Sequence, residues 1–133
     1  MARSEENKVK ITSPSNGDDV GKQVIVEGTS DITDGESHIW ILVHPKLFID
    51  QWWPQDKPIV DANGNWQVLI YIGQPQDVGL DFEIAVAAFS RNGESPILTY
   101  HDSGRRTGQW SPIPFPKGTT SEAHIVTVKK MHH

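Results

Sequence analysis

The sequence contains no cysteine among its 133 residues. This absence excludes disulfide scaffolds, thiolate zinc sites, iron–sulfur clusters and cysteine nucleophiles. Long hydrophobic runs are also missing, since the longest unbroken apolar segment, Ile84–Phe89, is far shorter than the roughly 20 residues that a transmembrane helix needs. The first ten residues are polar and lack the apolar core of a secretory signal. We therefore expect no membrane insertion and no signal peptide in this sequence, which leaves the compartment open between the cytoplasm and a segment of an exported protein.

Motifs of the common catalytic and metal-binding classes are missing as well. The sequence has no G-x-S-x-G, no H-E-x-x-H, no phosphate-cradling glycine motif and no EF-hand spacing. His101, Asp102 and Ser103 are the three residue types of a hydrolase triad, but three neighbouring residues cannot place their side chains in the required relay. These absences predict a protein that is not an enzyme and that has no cofactor and no metal site.

Positive charge is scarce in the first two thirds of the chain. Residues 1–90 hold 14 acidic and 6 basic side chains, whereas residues 91–133 hold 3 acidic and 6 basic ones. Affinity for nucleic acid comes largely from the neutralisation of phosphates by lysine and arginine, and the basic residues of the last third are scattered along the sequence. The charge distribution therefore argues against a nucleic-acid partner.

Apolar residues recur with a period of two along most of the chain, which is typical of half-buried strands. Asn63-Gly64 supplies the two positive-φ positions of a tight hairpin turn, and alternating runs begin at Trp66 and at Phe82. Turn signals recur about every ten residues, so we predict an all-β fold, an antiparallel sandwich of seven to eight strands. The predicted strands begin near Val9, Gln23, His38, Phe48, Pro58, Trp66, Phe82 and Ala123.

One segment departs from the strand pattern. About thirty residues separate the last two predicted strands, whereas hairpin loops usually have about two to five. Ser95-Pro96 is typical of a helix start, with serine as the N-cap and proline in the first position. We therefore expect a short helix or an irregular insertion at about 95–116, before the last strand.

Several stretches resemble the bacterial immunoglobulin-like domains. They are VKITSPSNGDDV and QVIVEGTS near the start, the tryptophan-containing HIWILVHP, and DANGNWQVLIYIG followed by FEIAVAAF. The resemblance implies an immunoglobulin-like sandwich that serves as a spacer, adhesion or binding module in a larger protein. We accordingly assign residues 8–130 to a single domain, residues 1–7 to a disordered N-terminal tail, and residues 131–133 to a C-terminal tail whose two histidines fit an affinity tag.

Two predicted strands are apolar on both faces, although a simple sandwich keeps its outer faces polar. If these strands are neighbours, they form a patch larger than a soluble monomer usually exposes. With Trp40 facing inward, the outer patch consists of Ile39, Ile41, Val43, Ala85, Ala87 and Phe89. We expect the segment 95–116 to cover it, with a partner protein or a second copy as the alternative. The apolar residues of this segment are Ile97, Leu98, Tyr100, Trp110, Ile113 and Phe115.

The tryptophans are the candidates for ligand contact. Trp40 and Trp66 lie in alternating strands and are expected between the sheets. Trp52 and Trp53 are consecutive, and neighbours in a strand face opposite sides, so one of them can present a flat apolar ring to a sugar or to a peptide proline. The predicted ligand-binding residues are Trp52, Trp53, Tyr71 and His44.

These features support three hypotheses about function. The first is a non-catalytic immunoglobulin-like module that acts as an interaction or spacer domain and contacts neighbouring domains or a partner protein. The second is a carbohydrate-binding module that uses an exposed tryptophan. The third is a small hydrolase with an unrecognised site, which requires a convergent pair of histidines and a carboxylate. The histidines available for such a site are His38, His44, His101 and His124.

Overall fold

The computed structural model describes residues 8–31, 37–73 and 75–131. The predicted N-terminal tail, 1–7, and the last two residues of the predicted C-terminal tail, 132–133, lie outside the described residues. The strands of the described part are β1 (Val9–Ser13), β2 (Asp19–Val20), β3 (Gln23–Ser30), β4 (His38–Pro45), β5 (Trp53–Pro54), β6 (Ile59–Val60), β7 (Asn65–Tyr71), β8 (Asp81–Phe89) and β9 (His124–Lys130). A short 3-10 helix (Pro75–Asp77) precedes β8, and the α-helix α1 (Ser95–Thr107) lies between β8 and β9.

The strands form two sheets, which confirms the prediction of an all-β sandwich. One sheet has the order β1-β3-β7-β6, and the other has the order β2-β9-β8-β4-β5. The strand pairs of the described chain are antiparallel, apart from β2 and β9, which run parallel. β2, β5 and β6 have two residues each and lie at sheet edges. Within the described ranges, no helix is long and apolar enough to cross a membrane.

The segment after β4 differs from the predicted strand at Phe48–Trp53. The Phe48 N–H donates to the Pro45 carbonyl at 2.9 Å, and the Gln51 N–H donates to the Phe48 carbonyl at 3.1 Å, which closes two consecutive turns. After these turns, the chain next pairs with β4 at β5 (Trp53–Pro54). The apolar composition of this stretch favours a strand, but the turns expose the side chains of Phe48 and Ile49, so composition alone gave the wrong element here.

The core between the two sheets is made of alternating side chains from both layers. Val26 and Ile70 of one sheet and Ile41 and Ile84 of the other are fully buried there. Each such side chain contributes about 1.5–3 kcal/mol when it leaves water. Trp66 lies in this core, as predicted, and its indole N–H donates to the Thr29 carbonyl at 3.0 Å.

Trp40 was expected between the two sheets, but it lies on the outward face of its own sheet. In β4, Ile39 and the alternate residues after it face the core between the sheets, whereas Trp40 and Leu42 face outward. In the neighbouring strand β8, Ala87 pairs with Trp40 and Ala85 pairs with Leu42. The period of two shows which residues share a face. It does not show which face is inside when both faces are apolar, and that is why the prediction was wrong.

The segment 95–116 covers this outward face, but the β4 residues under it are Trp40 and Leu42, whereas Ile39, Ile41 and Val43 were predicted there. Ile97 of α1 is fully buried in a second cluster with Trp40, Leu42 and Phe89. Ile113 and Phe115, which follow the helix, pack against the same cluster. The molecule therefore has a third layer, made of α1 and the chain after it. This layer buries the apolar outer face of β4 and β8 within the chain itself.

The helix begins one residue earlier than the sequence indicates. Its N-cap is Glu94, and Ser95 is the first helical residue. The helix ends at Thr107, and its C-cap is Gly108, whose φ of +77° lies in the left-handed region that favours glycine. Gly104 is also required, because a Cβ at this position would lie about 2.2 Å from the ring of Trp110. Trp110 is thereby packed directly against the helix backbone.

Candidate functional site

A groove of about 700 Å³ opens at the side of the sandwich. It lies where β5, an edge strand, approaches the end of β7 in the other sheet, and α1 and the chain after it form a further wall. Its volume falls within the range of roughly 300–1,000 Å³ that is typical of ligand sites. The lining includes Trp53, Asp56, Tyr71, Tyr100, His101 and Trp110.

Gln55 fixes the two sheets relative to each other at the base of the groove. Its N–H donates to the Ile41 carbonyl at 2.8 Å, and its side-chain oxygen accepts from the Tyr71 N–H at 3.0 Å. Its side-chain nitrogen donates to the Trp53 carbonyl at 3.1 Å. Its own carbonyl accepts from the ring of His101 at 3.2 Å. One residue thus connects both sheets and the helix, so the groove is formed before any ligand arrives.

Aromatic side chains supply much of the accessible surface of the groove. Tyr71 is 54% exposed and Trp110 is 45% exposed, whereas Trp53 is partly buried. The Trp53 indole N–H donates to the Trp110 carbonyl at 3.0 Å. The Trp110 ring lies 5.5 Å from the ring of Tyr100. These contacts hold the rings of Trp53 and Trp110 in place, which reduces the entropy that ordering these two rings on a ligand would cost.

The charge of the groove is negative. Asp56 and Asp77 line it, and the described lining contains neither lysine nor arginine. Burial lowers the pKa of His101, helped by Arg105, against the opposing effects of the Gln55 carbonyl and Asp56. Its imidazole is therefore neutral near pH 7. Burial also raises the pKa of Tyr100 to about 12, so this phenol keeps its proton.

Three of the four predicted ligand-binding residues, Trp53, Tyr71 and His44, line this groove. Trp52 does not. It is buried, exchanges backbone hydrogen bonds with Ile113 at 2.8 and 2.9 Å, and packs its ring edge-on against Phe115 at 5.1 Å. The expectation that the two consecutive tryptophans face opposite ways therefore holds, and Trp53 is the one that reaches the groove.

His44 lies under the groove and is only 2% exposed. Its ring stacks on Trp52 with 3.5 Å between the ring centres. Its Nδ1 donates to the Phe48 carbonyl at 2.8 Å, and its Nε2 lies 2.8 Å from a carboxylate oxygen of Glu83. Both ring nitrogens are thus engaged with the protein, and His44 supports the Phe48 turn as part of the groove floor.

A second polar cluster surrounds Trp40 beneath the helix. Its indole N–H donates to Glu94 at 2.8 Å, and the Nδ1 of His38 lies 2.9 Å from both oxygens of the same carboxylate. Burial raises the pKa of Glu94, but the hydrogen bonds from Trp40 and His38 and the charges of His38 and Lys57 outweigh burial and lower it. Glu94 is therefore an ionised carboxylate that joins the start of α1 to β4.

The four histidines considered for a hydrolase each have a separate partner. His38 contacts Glu94, His44 contacts Glu83, and His101 bonds to the Gln55 carbonyl. The ring of His124 accepts from the Ile11 N–H at 2.9 Å. No group of three or more histidine, aspartate or glutamate side chains in the described ranges is arranged to hold a metal ion.

No protein-family model matches the chain, and no curated protein matches it either. The groove and the Trp40 cluster are therefore the features from which a function can be assigned.

Sequence reasoning did not identify Gln55, Asp56 and Glu94 as important residues. For Asp56 there was a usable signal, because it is an acidic residue two positions after a Trp-Pro pair. Gln55 and Glu94 gave no such signal, since their roles depend on partners 16 to 56 residues away. Only the fold shows that Gln55 bridges the two sheets and that Glu94 bridges the helix and β4.

Proposed function

We propose that the chain is a non-catalytic immunoglobulin-like module that acts as an interaction domain within a larger bacterial protein, with the groove as its recognition surface. The observation that carries this proposal is the convergence of three aromatic side chains, Trp53, Tyr71 and Trp110, on one preformed groove. Aromatic residues are enriched at recognition surfaces because they provide large contact areas with few rotatable bonds.

The strand order supports the immunoglobulin-like part of the proposal. In a constant-type immunoglobulin domain, strands A, B, E and D form one sheet and strands C, F and G form the other. If β1 corresponds to A, β3 to B and β4 to C, the order β1-β3-β7-β6 corresponds to A-B-E-D. The run β9-β8-β4 then corresponds to G-F-C. The chain order along both sheets agrees with this assignment.

The partners of the histidines support a non-catalytic role. A general base needs a free nitrogen within reach of a substrate, with its other nitrogen oriented by the protein. His44 has both nitrogens engaged, and the Nε2 of His101 is bonded to a backbone carbonyl. A spacer role without ligand is the simplest alternative within the same proposal, and it would leave the groove empty.

Carbohydrate binding is the second candidate function. The observation that favours it is the exposed ring of Tyr71 beside Trp53, because sugar rings stack on such aromatic faces. Planar polar side chains near the rings, such as Asp56, would then contact hydroxyl groups.

The proposal is tested by unbiased selection on the whole chain. A random peptide library displayed on phage and a glycan array are screened with the wild-type protein and with Tyr71→Ala and Asp56→Lys variants. We expect ligands that bind the wild type and lose binding to both variants. A chromogenic panel of esters, glycosides and phosphates should give no turnover. Binding that is indifferent to both substitutions, or any groove-dependent turnover, would contradict the proposal.

A further inference from the structure

We infer that the groove binds an extended, proline-rich peptide segment that carries basic side chains. This inference deepens the proposed function and rests on it. It depends on three properties of the groove: the aromatic lining, the negative charge and the internal hydrogen bonding of the polar groups at its base.

The aromatic and prolyl lining suits a polyproline II segment. Such segments dock in grooves lined by aromatic rings, and they are already extended before binding, so little order is imposed. Trp53, Tyr71 and Trp110 provide the rings, and Pro45 and Pro54 also line the groove. The rings of Trp53 and Trp110 are held by a hydrogen bond and by packing, so this part of the groove needs little ordering when a peptide binds.

The polar groups at the base of the groove already have hydrogen-bond partners within the protein, which favours a peptide over a sugar. Both ends of the Gln55 amide, the Trp53 indole N–H and both nitrogens of His44 have protein partners. A sugar brings several hydroxyl groups, and each one buried without a partner costs free energy. Proline has no backbone N–H group, so a proline-rich backbone can be buried here with fewer unsatisfied hydrogen-bond donors.

The charge of the groove selects basic side chains. Asp56 is exposed and lines the groove. Lys57 follows Asp56 in the sequence, but its ammonium lies 5.9 Å from the ring centre of Trp40, in the Glu94 cluster. Arg105 is close enough to lower the pKa of His101, but it is outside the lining. An anionic ligand is therefore repelled, and an arginine or lysine beside a proline is attracted.

The test uses a fluorescent peptide of repeated Pro-Pro-Arg triplets, titrated with the whole chain and followed by fluorescence anisotropy. Two matched peptides separate the contributions: Pro-Pro-Glu repeats reverse the charge, and Gly-Gly-Arg repeats keep the charge and remove the rings. We expect both to bind at least about tenfold more weakly than the Pro-Pro-Arg peptide. Added salt should weaken the Pro-Pro-Arg complex, because Asp56 is exposed to solvent.

Substitutions locate the binding to the groove. Tyr71→Ala and Asp56→Lys should each weaken the Pro-Pro-Arg peptide by about tenfold or more. Leu98→Ala removes an apolar side chain of similar exposure outside the groove lining, and Glu122→Lys makes the same charge change elsewhere. These two controls should change the affinity by no more than about twofold. Circular dichroism confirms that all four variants are folded.

The outcomes separate this inference from the proposed function. Equal binding of the Gly-Gly-Arg peptide, or no binding of the Pro-Pro-Arg peptide, overturns the inference. Soluble neutral oligosaccharides that bind the wild type and not Tyr71→Ala also overturn it, and they leave the groove as a recognition surface for sugars. If neither class binds and the unbiased selection gives no groove-dependent ligand, the proposed function fails as well.

Discussion

At the scale of single residues, Glu94 makes the connection between the helical layer and the sandwich. It is the N-cap of α1, yet its side chain makes no capping hydrogen bond and instead reaches Trp40 and His38 in β4. The residue is 5% exposed. A hydrogen bond to a charged group contributes about 1.5–3 kcal/mol, which exceeds the roughly 1 kcal/mol that an ordinary N-cap provides. The Glu94 carboxylate therefore stabilises the contact between α1 and β4 and makes no capping bond in the first turn of α1.

Glu94→Gln should lower the free energy of unfolding by about 1.5–3 kcal/mol near neutral pH. The substitution keeps the size of the side chain and removes its charge. Because the pKa of Glu94 is lower in the folded chain than the ordinary value of 4.5, the unfolded chain binds the proton first. The stabilisation is therefore complete above pH 4.5 and lost as the pH falls through the folded value. Urea unfolding of both proteins across this range measures the difference.

The matched control is Asp102→Asn, which removes the charge from an exposed pair with Arg106 on the same helix. Such a pair contributes about 0.3–0.5 kcal/mol, so this variant should stay close to the wild type. A Glu94→Gln protein that is as stable as Asp102→Asn, with the same dependence on acid, would show that the buried carboxylate does not hold the layers together.

At the scale of elements, the segment 95–116 is a structural cover of one sheet. Its packing on Trp40, Leu42 and Phe89 turns the outer face of β4 and β8 into a second core. The same segment supplies Trp110 and His101 to the groove. One insertion therefore removes an apolar patch from the surface and builds a wall of the recognition site.

Replacing residues 95–116 by a short glycine-serine loop should expose the outward face of β4 and β8. We expect self-association in size-exclusion chromatography and strong binding of a dye that reports exposed apolar surface. Leu98→Ala, which changes an exposed residue of the same helix, should remain monomeric and bind little dye. A loop variant that is monomeric and as stable as the parent would contradict the role of the segment as a cover.

The elements differ in how far the sequence alone could predict them. In β7, Trp66, Val68 and Ile70 are buried and the residues between them are exposed, as a period of two predicts, so its inner face was predictable. β4 is buried on both sides along most of its length, and a period of two then carries no information about the inner face. The groove was predictable in its aromatic residues Trp53 and Tyr71. The role of Gln55 in the groove was not predictable, because a hydrogen bond between the two sheets depends on how the sheets pack against each other.

At the scale of the whole molecule, three layers are stacked, and Glu94 and His101, whose pKa values are lowered, lie between the second and the third. Glu94 connects the start of α1 to β4, and His101 stacks on the outward-facing Trp40 with 5.5 Å between ring centres. Their shifts have opposite chemical origins, since Glu94 is stabilised in its charged form and His101 in its neutral form. Both shifts nevertheless have the same sign, so both make the molecule less stable in acid.

His101→Gln should reduce the loss of stability that occurs as the pH falls below 6.5. Burial holds the pKa of His101 below the ordinary value of 6.5, so the unfolded chain takes up the proton first and stability falls as the pH decreases from 6.5 to the folded value. Glutamine stays neutral, and its amide N–H can still donate to the Gln55 carbonyl. The denaturation midpoint of the variant should therefore change less between pH 6.5 and pH 4.5 than that of the wild type. Glu94→Gln should keep the wild-type dependence in this interval and flatten below it, so identical profiles for the two variants would contradict the separate assignment of the two groups.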